Sequence, residues 1–161
     1  LVDLSTYTLY YRSSAGSTNN RLMTLTGKTI AARGFLLVGH TSFSGTPDVV
    51  YTAYSMSASG GSLWLTSTAT PPADLNALNL VDVVGWGSSA ANNSEGGHPI
   101  GAPAQGGAIE RKARAGSTTG SMGPAGAEEG DGNAYDSGDN AADFAPRASR
   151  DPQNAASAPE P

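Results

Sequence analysis

Cysteine is absent from the 161 residues, which excludes a disulfide framework, a thiolate nucleophile and a cysteine-type zinc site. Basic residues are scarce: nine Lys and Arg stand against fourteen Asp and Glu, for a net charge of −5. With no basic stripe to neutralise phosphates, nucleic acid is not an expected ligand. No apolar run approaches the roughly 20 residues of a membrane-spanning helix, so no membrane span is expected. The two histidines, His40 and His98, lie in separate loop-like stretches without an i, i+4 partner. They read as solvent-exposed loop residues, not as zinc ligands or general bases. No Gly-x-Ser-x-Gly elbow anchors a hydrolase triad. Gly85-Trp86-Gly87-Ser88-Ser89-Ala90 imitates the start of a dinucleotide fingerprint, but alanine stands at the third glycine position and no helix pattern follows. The chain is therefore expected not to be an enzyme.

What is present is unevenly distributed. Counting Leu, Val, Ile, Met, Phe, Trp and Tyr, positions 1–86 hold 31 and positions 87–161 hold five: Ile100, Ile109, Met122, Tyr135 and Phe144. Binary patterning thus places nearly all the core in the first half. Charge is segregated too, because eight of the fourteen acidic residues fall from Glu128 onward, where only Arg147 and Arg150 oppose them.

The most telling stretch is Leu80-Val81-Asp82-Val83-Val84-Gly85-Trp86-Gly87, short, rich in β-branched residues and closed by glycine. It predicts a strand buried along most of its length, with Val81, Val83 and Gly85 on one face and Leu80, Asp82, Val84 and Trp86 on the other. Asp82 must reach the rim, pair with a cation or collect backbone donors, since an unpaired buried carboxylate is costly; it reads as structural. Residues 2–12 alternate as a half-buried strand, and Leu22–Leu25 as a second. Gly34-Phe35-Leu36-Leu37-Val38-Gly39 predicts an interior strand. Val49–Met56 predicts another, joined to Ser62–Thr66 by a hairpin through Gly60-Gly61. Pro71–Leu78 reads as a helical turn or a loop, and Ala108–Ala113 as a short strand at an edge. Strands recurring every 10 to 15 residues without an amphipathic helix predict an all-β sandwich or barrel. Long polar stretches at 88–107 and 114–132 read as surface loops, with a Pro/Ala/Ser-rich tail or linker over 148–161 beyond a domain at 1–147.

The candidate cation site is the acidic cluster of Asp131, Asn133, Asp136, Asp139 and Asp143, with Asn140 among them. Calcium takes six to eight oxygens, and a loop dense in Asp and Asn can supply them. The EF-hand pattern fails, with Tyr135 and Ala142 at ligand positions. The structural alternative is that these side chains cap turns and hold Phe144 in the core. Trp64 and Trp86 read as core or interface aromatics on adjacent strands in preference to a sugar platform. Asn92-Asn93-Ser94 matches a glycosylation acceptor.

Taken in order, residues 2–9 (Val-Asp-Leu-Ser-Thr-Tyr-Thr-Leu), Thr26-Gly27 before Gly34–Val38, residues 80–87, Ile109-Glu110-Arg111-Lys112 and residues 136–144 (Asp-Ser-Gly-Asp-Asn-Ala-Ala-Asp-Phe) resemble the bacterial lamin-tail domain. The resemblance implies an immunoglobulin-like antiparallel β-sandwich without catalytic residues. It implies a non-enzymatic binding or structural module of an exported protein, extracellular or at the cell surface. A role beside a hydrolase domain is a further implication, while assembly into a surface structure is expected from the early core, the long later loops and the lack of a catalytic constellation, and a calcium-dependent adhesive role depends on the acidic cluster. The nuclear role of lamins does not transfer, because nothing here resembles their coiled coil. Family members usually begin with a strand before the position of Val2. The chain opens at Leu1 without that strand, a Met or a signal peptide, as expected of a processed form or an excised piece. An open sheet edge there would be a template for strand addition by a protein partner or a second copy.

Overall fold

The computed structural model describes residues 1–88, 90 and 93–161. Its elements in chain order are β1 (Val2–Asp3), β2 (Thr8–Ser13), β3 (Asn20–Thr24), β4 (Thr29–Ile30), β5 (Val38–His40), β6 (Val49–Tyr51), β7 (Gly61–Thr66), β8 (Leu80–Trp86), β9 (Ala108–Arg111), α1 (Asn140–Asp143) and β10 (Phe144–Arg147). The architecture is all-β, as the strand spacing predicts. A four-stranded antiparallel sheet, ordered β3-β2-β7-β8, forms its centre. Three two-stranded sheets accompany it: β1-β4, β5-β6 and β9-β10.

Both faces of the central sheet are covered, and alternation decides which residues go where. Tyr10, Trp64 and Val83 pack together on one face with Leu75 and Leu80. Trp64 is wholly buried, and its indole N–H donates to Ser62 Oγ at 2.7 Å, so its one polar atom is satisfied. The opposite face carries Tyr11, Leu22 and Trp86, joined by Tyr51 of β6, Ile100 and Phe144 of β10. Here the small sheets β5-β6 and β9-β10 meet the large one. Trp64 and Trp86 therefore sit on adjacent strands but in different clusters.

One irregularity sets the edge of this core. Leu65 pairs with Asp82 while Thr66 pairs with Leu80, so Val81 is an extra residue in β8. The bulge rotates Leu80 onto the Trp64 side, where alternation alone did not put it, and leaves Val81 50% exposed.

Several expected strands are shorter than their sequences suggest, each for a visible reason. The run at 2–12 breaks because Asp3 Oδ1 accepts the Ser5 N–H at 2.8 Å and Tyr7 N–H bonds Leu4 O at 2.9 Å, a local turn that outcompetes the ladder. The interior strand expected at 34–39 is reduced to β5, which pairs in parallel with β6. Asp48 explains this, since its Oδ2 takes the Leu37 N–H at 2.7 Å and holds the preceding residues in a loop. The strand expected at 49–56 ends at Tyr51, leaving Tyr54 and Met56 exposed. No hairpin joins it to β7, whose neighbours are β2 and β8. Gly61 instead opens β7 against the Tyr11 ring, where a Cβ would come within 2.6 Å of Tyr11 Cε2. Pro71–Leu78 is a loop, organised by Asp74 Oδ1 accepting the Asn76 N–H at 2.8 Å. The predicted strand at 108–113 is β9, paired with β10, which the sequence did not suggest.

Candidate functional site

The outer edge of β8 is where the polar second half of the chain attaches. In a parallel ladder one residue donates to a carbonyl and accepts from the N–H two positions on. Asn140 does this with its side chain: Nδ2 donates to Val83 O at 3.0 Å and Oδ1 accepts from Gly85 N at 2.7 Å. Ile100 continues the pattern with its backbone, donating to Gly85 O at 3.0 Å and accepting from Gly87 N at 2.8 Å. Asn140 is fully buried, and its remaining capacity goes to one residue. Oδ1 also accepts from Glu95 N at 3.3 Å, and Nδ2 donates to Glu95 Oε2 at 2.9 Å. All four of its hydrogen-bonding positions are thereby used. Gly85 is required here, because a Cβ would stand 2.5 Å from Ser94 Cβ.

Three neighbouring acidic side chains position Asn140. Asp139 caps α1, accepting from Ala141 N at 3.0 Å and Ala142 N at 3.3 Å, and also meets His98 Nδ1 at 2.7 Å. The His98 bond, more than any other cause, holds the Asp139 carboxyl below its ordinary range. Asp143, fully buried, accepts from Ser137 N at 2.9 Å and Ser137 Oγ at 2.6 Å through Oδ1, and from Asp139 N at 3.2 Å through Oδ2. Asp136 Oδ1 accepts from Gly138 N at 3.0 Å. Phe144 follows directly and is buried in the larger core cluster.

Arg111 supplies the cation. Its Nη2 donates to Asp82 Oδ2 at 2.7 Å, its Nη1 donates to Tyr135 O at 3.2 Å and lies 3.9 Å from Asp136 Oδ1, and its guanidinium stands 4.5 Å from the Phe144 ring centre. Asp82 thus resolves its burial by pairing, but its Oδ1 is buried without a hydrogen-bond partner. Glu95 completes the group: its carboxylate and those of Asp136 and Asp143 each bring an oxygen within 4.8 Å of the others. Burial, then the charges of Asp82 and Asp136, raise the Glu95 carboxyl to about 7, with Arg111 opposing.

The five residues expected as calcium ligands are not one set. Asp131 pairs with Arg114, and Asn133 donates to Glu110 Oε1 at 3.3 Å. Asp139 faces His98, and only Asp136 and Asp143 come together, joined by Glu95. The spacing of those three oxygens would admit a cation. The donor set does not suit calcium, however: Asp143 already accepts three hydrogen bonds, Glu95 accepts one, and Arg111 occupies the positive role. The cluster caps turns and aligns the segment leading to Phe144, the alternative weighed for it above.

Elsewhere, His40 lies in β5 with its ring edge on Tyr51, 5.3 Å between centroids, and is not in a loop. Its Nδ1 meets both Ser42 Oγ at 2.7 Å and Ser42 N at 3.1 Å, a local turn, and among the described residues no carboxylate orients the ring as a general base requires. A cavity of about 710 Å³ lies beside it, lined by Val38, Phe43, Tyr51, Ile109 and Met122 and rimmed by residues 149–153. The tail folds back over this side: Asn154 Nδ2 donates to Thr46 O at 3.2 Å, Ala155 N to Asp48 Oδ2 at 2.9 Å, and Glu160 N to Arg33 O at 3.0 Å. Of the glycosylation match, Asn92 lies outside the described residues, as does Ser89 of the fingerprint-like run.

Glu95 and Arg111 escaped sequence reasoning. A cation was one of three ways open to Asp82, and nothing local marks Arg111 as its partner 29 positions away. Glu95 sits in a Gly/Ser-rich stretch that carries no signal at all. No family model, curated protein or solved structure matches the chain. The lamin-tail resemblance accordingly rests on the sequence stretches that carry it.

Proposed function

We propose that the chain is a non-enzymatic binding or structural module of an exported bacterial protein, of the lamin-tail type, acting outside the cell or at its surface through protein association. The observation that carries this reading is the difference between the two edges of the central sheet. The β8 edge is closed by Asn140 and Ile100, whereas β3 at the opposite edge has, among the described residues, no strand neighbour but β2. Unpaired backbone groups along an edge strand are a template for strand addition, with main-chain bonds giving affinity and alternate side chains giving specificity. Arg21, exposed on β3, is the only charged residue of that strand and sets the polarity such a partner meets.

A second copy of the chain is the simplest occupant to test. Sedimentation equilibrium over a wide concentration range is expected to show association, with the amides of Asn20–Thr24 gaining hydrogen-exchange protection in the associated form. A strict monomer at the highest concentration reached would reject self-assembly, and protection gained elsewhere would reject the β3 edge.

A further inference from the structure

We infer that Glu95 is a proton-operated latch on the cover of the β8 edge: uncharged, it keeps residues 93–97 docked on α1 and β8, and on ionising it loosens that docking. The geometry is a cluster contributed by four separate segments. Asp82 comes from β8, Glu95 from the turn at Glu95–Gly97, Arg111 from β9, and Asp136 and Asp143 from the segment around α1. Asn140 ties Glu95 to β8 through both its backbone and its carboxyl. Whatever displaces Glu95 therefore pulls on the side chain that covers Val83 O and Gly85 N.

The charges facing Glu95 are unbalanced. Among the described residues Arg111 is the one cation acting on it, and it is already shared between Asp82 and Asp136. The other basic side chains near the segment look elsewhere, Lys112 Nζ to Ala142 O at 2.7 Å, Arg12 Nη1 to Asn93 Oδ1 at 2.8 Å and the His98 ring to Asp139. Ionised Glu95 would be a fourth carboxylate, with Asp82, Asp136 and Asp143, around one guanidinium. The cluster is also short of donors, since Asp82 Oδ1 is buried without one. A protonated Glu95 removes a charge and adds an O–H.

The sign of the pH dependence follows. Glu95 is raised from its ordinary value of 4.5 to about 7, chiefly by burial and then by Asp82. The folded state therefore binds its proton more tightly than the unfolded chain. The stabilisation is complete below about pH 4.5 and is lost as the pH rises to about 7.

The test compares wild type with Glu95→Gln at pH 5 and pH 8, by thermal melting and by hydrogen-exchange protection of the Gly85 amide. In wild type the Tm falls between pH 5 and pH 8 and Gly85 protection drops about tenfold or more, since solvent screening of a half-buried carboxyl leaves only part of the shift from 4.5 to about 7. Glu95→Gln keeps the uncharged shape, so its Tm changes less with pH and stands about 2–4 °C above wild type at pH 8. The same pH dependence in both proteins would overturn the latch. Should the variant fail to fold, a carbon-13 titration of the wild-type Glu95 carboxyl decides the matter: a midpoint about 7 supports the latch, and one near 4.5 overturns it. Calcium added to wild type at pH 8 is expected to leave the Tm unchanged. A calcium-dependent rise that Glu95→Gln lacks would make the occupant a cation and not a proton.

Discussion

The central sheet and the segment after Trp86 are built on different principles. Between its own strands the sheet closes backbone bonds with backbone partners, and it is held by apolar side chains on both faces, Tyr10, Trp64 and Val83 on one and Tyr11, Leu22 and Trp86 on the other. The later segment, with five large apolar residues, reaches the sheet through Ile100, Ile109 and Phe144, and beyond the β9-β10 ladder it is ordered by side chain to backbone bonds from Asn140, Asp139 and Asp143. Burial is non-directional and tolerates small shifts, whereas a buried polar network is satisfied in one arrangement only. The first region is accordingly sensitive to volume and the second to individual hydrogen bonds and to charge.

The largest effect is expected at the core. Trp64→Ala removes a wholly buried ring and should cost about 3–5 kcal/mol, read as a lowered urea midpoint. If the loss is below about 1 kcal/mol, the core is not where it is placed. Asn140→Ala comes next at about 2–3 kcal/mol, because it leaves the buried Val83 C=O and Gly85 N–H without their partner. A cost comparable to Trp64→Ala would erase the distinction between the two regions. Arg111→Met strands a partly exposed Asp82 and removes the cation over Phe144, for about 2 kcal/mol. Its deficit should shrink on acidification, as Glu95 takes up its proton and one negative charge leaves the cluster. Val81→Thr should change stability by less than about 0.5 kcal/mol, since the bulge turns this residue outward. A larger loss would show Val81 packed against something in solution.

How much of this was legible in the sequence follows the same division. The β7 and β8 strands and the all-β class were readable because apolar, β-branched runs express a burial that is local in sequence. Val81 and Leu80 were half misread, because a bulge is a property of pairing and leaves no mark on one strand. The strand at 34–39 was overcalled because Asp48, ten or more positions away, captures the Leu37 N–H. At the β8 edge the acidic cluster was visible as composition, and its use in capping was one of two readings available. Which members would meet was not visible, because Glu95, Arg111 and Asp136 come together only through the tertiary fold. Asn140 looks in sequence like any other loop asparagine, although its side chain takes the place of a strand.

The most direct test of the account is residue-resolved hydrogen exchange on Asn140→Ala beside wild type at pH 5. The account predicts that the Gly85 amide loses its protection while the amides of β2 and β7 in the Trp64 core keep theirs. Undiminished protection at Gly85, or an equal loss throughout the sheet, would contradict it.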